Sequence, residues 1–226
     1  MIRFFDFTFS LITLIILSIV FFPIAIILRL TGEGEVFFLQ TRVGKDKETF
    51  KLFKFVTMLK NSENMDTGSI TIKNDPRVLP VGKFLRKSKI NELPQLINVF
   101  LGDMSFIGPR PLTPETFGFY SERVQKTVSQ VKPGLSGIGS VVFRDEEKLL
   151  EGSFGNVNFY RDKIAPYKGA LEEWYVANTN LRNYFLIIFL TIWVIIKPSS
   201  LLIWKIFRDL PEPSEEIKDS INYPSK

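Results

Sequence analysis

Residues Phe7–Leu28, FTFSLITLIILSIVFFPIAIIL, form a run of 22 residues without a formal charge, and the rest of the chain has to be arranged around it. At about 1.5 Å per residue, a straight helix of this length reaches roughly 33 Å, enough to cross a hydrocarbon core. The run is too long for the apolar part of a secretory signal, Asp6 stands at its start, and no small-residue cleavage site follows, so it reads as a membrane segment. Pro23 lies inside it, where proline deletes a backbone hydrogen bond and crowds the preceding turn, so a kink is expected there. Arg3 and Arg29 flank the run on both sides, and positive flanks tend to stay in the cytoplasm. A helix broken at Pro23 that enters and leaves by the same leaflet satisfies both observations. From these residues alone a straight span remains the alternative.

The whole chain has 226 residues, one domain's worth plus an anchor, and is 45% hydrophobic with 22 Phe and a net charge of +5. It contains neither cysteine nor histidine. Disulfides, thiolate nucleophiles, iron–sulfur clusters, zinc fingers, imidazole bases and Ser-His-Asp triads are therefore excluded. Any catalysis has to rely on carboxylates, Lys, Tyr, Ser/Thr, Arg or a hard, oxygen-held cation such as Mg²⁺ or Mn²⁺.

Between Arg42 and Lys89 twelve basic residues stand against five acidic ones, leaving that stretch at +7. Directly after a membrane segment, such a block suits an anionic lipid surface or a phosphate-bearing substrate. Nucleic acid is not expected as a partner, because the block carries no RNA-binding signature and no helix-turn-helix. A second apolar stretch, Tyr184–Ile196, is 13 residues long and stops at Lys197-Pro198, too short to cross a bilayer. As a helix it is expected to lie in the membrane interface or pack as core, with Trp193 and Trp204 at headgroup depth. The tail from Asp209 carries five acids, with two prolines and little apolar content before Tyr223, and is expected to be disordered.

Within the middle region, Glu35–Gly44 and Phe50–Phe55 read as two strands of a hairpin with one apolar and one cationic face, on which Lys54 could point at phosphate. In Arg86–Phe100, Leu93, Leu96, Ile97 and Phe100 stand at i, i+3, i+4 and i+7, one stripe of a helix. Pro94 is tolerated only in a first turn, which places the helix start near Asn91 or Glu92. A glutamate there lies near the positive end of the helix dipole, beside Arg86, Lys87 and Lys89. It can serve as a simple cap or as a carboxylate kept for metal or phosphoryl chemistry. Gly102–Pro111 (GDMSFIGPRP) places Arg110 between two prolines, which narrows the directions its planar fork can take and suits it to a diphosphate. Lys132–Gly139 is a further Gly/Pro loop, able to expose backbone N–H groups to phosphate.

In this order, the hairpin with Pro23, Gln40-x-Arg42-Val-Gly44, Lys54-Phe55, Glu92-Leu-Pro-Gln-Leu-Ile-Asn-Val, Gly102–Pro111 and Lys132-Pro-Gly-Leu-Ser-Gly137 resemble the bacterial sugar transferases, the monotopic phosphoglycosyl transferases, over about residues 1 to 200. The resemblance implies an α+β, mostly helical fold. An N-terminal re-entrant helix-break-helix (1–30) precedes a cytosolic and interfacial catalytic domain (31–208), with a small β element around 35–56 and interfacial amphipathic helices, and the acidic tail (209–226) follows.

The implied activity is transfer of a sugar-1-phosphate from a UDP-sugar to polyprenyl (undecaprenyl) phosphate at the cytoplasmic face of the bacterial inner membrane. UMP is released, and Mg²⁺ assists. Such a step initiates assembly of an exopolysaccharide, O-antigen or glycoprotein glycan. The resemblance leaves room for a homodimer or for partner glycosyltransferases. In the family an adjacent Asp-Glu pair does the work: the Asp attacks the β-phosphorus and the Glu helps hold the metal. By residue match Glu92 inherits the metal role, Arg86, Arg110 and Arg144 are phosphate or nucleotide contacts, and Lys54 lies nearby. The nucleophile position holds Asn91, and a carboxamide is a poor nucleophile. Phe22, Glu35 and Val56 also depart from the usual pattern. Three outcomes follow: direct attack by Glu92, transfer without a covalent step, or a silent member that binds lipid carrier or UDP-sugar and scaffolds glycosyltransferases.

Overall fold

The apolar run lies in α1 (Ile2–Leu30), a single helix of 29 residues whose most apolar 18-residue window is only 6% buried. Its length, about 43 Å at 1.5 Å per residue, is enough to cross a bilayer. Helical geometry continues through Pro23, so the chain has a proline within one helix where two helices separated by a break were expected. One lost hydrogen bond is tolerated because the bonds on either side of it hold the backbone path.

The computed structural model describes residues 1–31, 33–60, 62, 75–144, 157–218 and 221–224, so the part of the basic block from 63 to 74 lies outside them. Two units are resolved, one of residues 7–41 and 51–101, the other of 1–6, 42–50 and 102–226.

β1 (Phe37–Val43) pairs with β2 (Thr49–Phe55), and in the first unit, which holds residues 37–41 and 51–55 of them, Phe37 stacks on Phe55 at 5.6 Å. The core is Leu28 of α1, Phe55, and Leu85 of α2 (Pro80–Lys87), each 1% exposed. Burial of side chains of this size stabilises by about 2–3 kcal/mol apiece. Proline at its first position starts α2. Gly82 lets that helix press on the Thr57 backbone, where any Cβ would collide with the Thr57 carbonyl. The hairpin has no single cationic face: Lys51 is exposed and donates to Thr41, whereas Lys54 is half-buried. Residues three apart in a strand point to opposite sides, so the two lysines cannot share a face.

In the second unit a further small sheet appears beyond the expected one. β3 (Ser105–Ile107) pairs in parallel with β4 (Gly134–Ser136), Ser105 opposite Gly134 and Ile107 opposite Ser136. The crossover contains α4 (Pro114–Phe117) and α5 (Glu122–Val128), capped by Thr113 and Ser121. After β4 come α6 (Ile138–Val142), a π-turn at Tyr160–Ile164 leading into α7 (Ala165–Ala177), and α8 (Leu181–Ile196). Asn180 caps α8 by accepting from the Asn183 N–H at 2.9 Å. The inner side of α8 buries Tyr184, Ile187, Leu190 and Val194, while Phe185, Phe189, Ile192, Ile195 and Ile196 stay exposed. An apolar exposed side is what an interfacial helix needs.

The tail, expected to be disordered, packs instead in its described parts. After α9 (Leu202–Ile206), residues Leu210, Ile217 in α10 (Glu215–Lys218), and Ile221 are buried in the main core. Trp174 donates to Asp209 at 2.9 Å, Tyr167 to the Pro211 carbonyl at 2.9 Å, and Lys163 pairs with Glu216 at 2.8 Å. Three apolar residues spaced through an acidic segment supply the anchoring that composition alone hides.

Candidate functional site

Asn91 and Glu92 lie on a 3₁₀ turn, Ile90–Glu92, ahead of α3 (Gln95–Leu101), so the regular helix begins about three residues later than its apolar spacing suggests. The N–H groups of Leu93, Leu96 and Ile97 each bond three residues back, which carries the chain tightly past Pro94. The buried side of α3 is Gln95, Leu96, Asn98 and Val99, and of the expected stripe only Leu96 is fully buried. Lys89 enters the turn at φ +58° and ψ 11°, a left-handed conformation that costs a non-glycine residue of the order of 1 kcal/mol. A turn held in this way sets the direction of the two side chains that follow it.

Asn98 ties α3 to β2. Its Oδ1 accepts from the Phe53 N–H at 2.9 Å, and its Nδ2 donates to the Lys51 carbonyl at 2.8 Å, replacing two rungs of a missing strand. Lys54 follows directly on β2, and its Nζ lies 3.9 Å from Glu92 Oε1, with side chains 18% and 29% exposed. Partial burial limits solvent screening of this pair, although the distance is long for a direct ion pair. Beside it, Asn91 Oδ1 is buried and accepts no hydrogen bond. Arg86 is half-buried on α2, which packs against the turn, and its Nη1 is 3.6 Å from Met58 Sδ. Lys54, Arg86, Asn91 and Glu92 thus belong to one unit.

Arg110 and Arg144 belong to the other unit. Arg110 is exposed between the buried Pro109 and Pro111 and borders a shallow cleft with Val43, Phe117, Tyr120 and Val131. Its loop is fixed by backbone: the Gly108 N–H bonds the Ser136 carbonyl at 3.0 Å, and the Gly134 N–H bonds the Pro109 carbonyl at 2.8 Å. Gly108, Gly134 and Gly137 approach so closely that a Cβ on any of them would strike backbone atoms. The two Gly/Pro motifs are therefore two sides of one seam. Arg144 is also exposed, but it borders a different cleft, with Val194, Trp204 and Ile221.

Three polar residues were not singled out by sequence reasoning. Asn98 interrupts an apolar stretch, and Asp6 precedes the apolar run; both were visible as polar groups out of place. Glu172 gave no such signal. It is 2% exposed on α7, Oε2 has no hydrogen-bond partner, and burial pushes its carboxyl up to about 7 against the opposing pull of Lys168 and Arg110. Lys132 is also shifted, downward, by burial and by the Arg3 guanidinium.

Among the described residues no three acidic side chains converge as a ready-made metal cage. The Glu92 carboxylate is a hard oxygen donor that keeps 29% of its side chain exposed, while the neighbouring Asn91 oxygen is buried. One accessible carboxylate fits a small cation that takes most of its ligands from water and phosphate.

The pattern of the bacterial sugar transferase family matches residues 1–198. The undecaprenyl-phosphate glucose phosphotransferase of Komagataeibacter xylinus is 35% identical over 156 residues, 64% of this chain and 29% of that protein. The UDP-glucose:undecaprenyl-phosphate glucose-1-phosphate transferase of Escherichia coli K12 is 37% identical over 157 residues, 68% of this chain and 34% of that protein. The exopolysaccharide production protein PSS of Rhizobium leguminosarum bv. phaseoli is 35% identical over 144 residues, 62% of this chain and 72% of that protein. The chain thus spans about a third of the length of the first two relatives and most of the third. Matched along most of its length, this chain belongs to the bacterial sugar transferase family.

Proposed function

We infer that the chain transfers a sugar-1-phosphate from a UDP-sugar to polyprenyl phosphate, releasing UMP, as an opening step of polysaccharide assembly. The reading rests on family membership, and the observation that carries it to particular residues is the Lys54–Glu92 pair beside the unsatisfied Asn91 oxygen. In this reading Arg110, Arg86 and Arg144 contact phosphate or nucleotide, and Lys54 neutralises charge as two anions approach. Glu92 would hold Mg²⁺, or Mn²⁺, which when bound supplies charge neutralisation to the diphosphate. A carboxamide cannot attack phosphorus usefully, so the acceptor does so itself. A polyprenyl phosphate oxygen forms the new bond to the β-phosphorus as the bond to the bridging oxygen breaks, and UMP leaves with that oxygen.

Membrane attachment is through α1, and in the bilayer a bend at Pro23 would let it enter and leave by the cytoplasmic leaflet of the inner membrane, with Arg3 and Arg29 both on that side and the exposed side of α8 along the surface. This brings a water-soluble donor and a lipid-borne acceptor to one boundary.

Asn91 favours a second reading, a silent member that binds lipid carrier or UDP-sugar and scaffolds glycosyltransferases. Purified protein in lipid with Mg²⁺, polyprenyl phosphate and a panel of UDP-sugars decides between them. Release of UMP only when acceptor is present supports direct transfer, and UMP or a phosphosugar adduct without acceptor replaces it with direct attack by Glu92. UDP-sugar binding with no UMP from any donor, together with turnover appearing in Asn91→Asp, establishes the silent reading.

A further inference from the structure

Asp6 opens a helix that is otherwise uncharged from Phe7 to Leu28, and it is 2% exposed. Its Oδ1 accepts three hydrogen bonds: from Ser105 Oγ at 3.0 Å, from the Phe106 N–H at 3.0 Å, and from the Tyr184 hydroxyl at 2.9 Å. Three donors on one carboxylate oxygen make a charge-assisted anchor, each bond stronger than its neutral equivalent. The negative charge is not isolated, since Arg3 and Lys132 belong to the same electrostatic cluster.

The donors explain what the anchor does. β3 is three residues long and, among the described residues, has a strand partner on one edge only. Ser105 and Ile107 register with β4, so the backbone of Phe106 between them is directed away from it. An inward N–H there has no strand to bond, and Asp6 takes it. The Tyr175 hydroxyl donates to the Ile107 carbonyl at 3.0 Å, holding the next residue. Gly108-Pro109-Arg110 follows immediately.

We propose that Asp6 is a positioning residue that replaces the missing strand beside β3 and so fixes the loop presenting Arg110. The role in turnover rests on reading Arg110 as a diphosphate contact, whereas the effect on the loop does not.

The full chain in lipid nanodiscs is compared as wild type, Asp6→Ala, Asp6→Asn and Tyr184→Phe. In Asp6→Ala, amide exchange across residues 104–110 speeds up about tenfold and KM for the UDP-sugar rises about tenfold at nearly constant kcat, the scale of one lost charged hydrogen-bond set. Asp6→Asn keeps an oxygen acceptor and recovers to within about threefold, and Tyr184→Phe shifts both readouts slightly in the same direction. These two conservative variants decide the matter if Asp6→Ala does not fold. A lowered Tm with unchanged KM per folded molecule, or unchanged exchange across 104–110, overturns the proposal. If the wild type yields no UMP, the transferase reading fails by itself, and the exchange comparison still decides whether Asp6 fixes the loop.

Discussion

Glu92 and Glu172 are the same residue placed under opposite conditions. Glu92 stands on a turn entered through the left-handed Lys89, is 29% exposed at its side chain, and faces Lys54 across 3.9 Å. Glu172 is 2% exposed on a thirteen-residue helix with one oxygen unpartnered, and Gly139 leaves it room, since a Cβ there would lie 2.5 Å from Oε1. The first can exchange water for a ligand without unfolding anything around it. The second has surrendered its contact with solvent, and its ionisation is tied to the stability of the fold. A carboxylate in a sugar transferase is therefore not a candidate for chemistry by its identity alone, nor by a cation nearby, since Lys168 and Arg110 act on Glu172 as Lys54 does on Glu92; access to solvent separates the two.

The sharpest way to break the contrast is to neutralise each carboxylate in turn. Glu92→Gln should lower UMP release about a thousandfold or more, with folding intact by circular dichroism, while Glu172→Gln should keep most of the turnover. Equal losses in both would erase the distinction drawn here.

A second test concerns pH. Burial raises the Glu172 carboxyl from 4.5 to about 7, so the folded chain holds that proton more tightly than the unfolded one. The resulting stability is fully present below about pH 4.5 and is lost as pH rises through about 7, up to about 3 kcal/mol in all. Denaturant midpoints between pH 5 and 8 should fall accordingly in the wild type and flatten in Glu172→Gln. A flat wild-type profile would show that the carboxyl is not protonated in the folded state.

Asn98→Leu removes both bonds to β2 and should cost about 2 kcal/mol of stability, read as a shift in denaturant midpoint. The smallest effect is expected from Lys54→Met, about a tenfold loss of turnover with little change in Tm, since the pair is partly solvated and its two charges do not touch closely.

Legibility followed the same division. The apolar run, the β1–β2 hairpin and a helix close after Glu92 could all be read from spacing, because each is a local pattern of polarity or proline, although the helix itself starts only at Gln95. The face of Lys54 could not be read from the alternation of Phe and Lys, because strand parity separates it from Lys51. Nor could the seam between Gly108 and Gly134–Gly137: two loops far apart in sequence meet there through backbone atoms that carry no compositional signal. The tail misled for a related reason, since Leu210, Ile217 and Ile221 are outnumbered by acids yet do the packing. Arg144, placed only by its distance from Pro133-Gly134, borders a cleft apart from the one beside Arg110.

That glycine seam restricts how such a transferase can diversify. A contact of main chain on main chain offers no side chain to lengthen, shorten or recharge, so the stretch presenting Arg110 behaves as an immovable datum. Change would have to be written into the side chains around it, such as Phe117 and Tyr120, where a new shape leaves the guanidinium's mounting untouched.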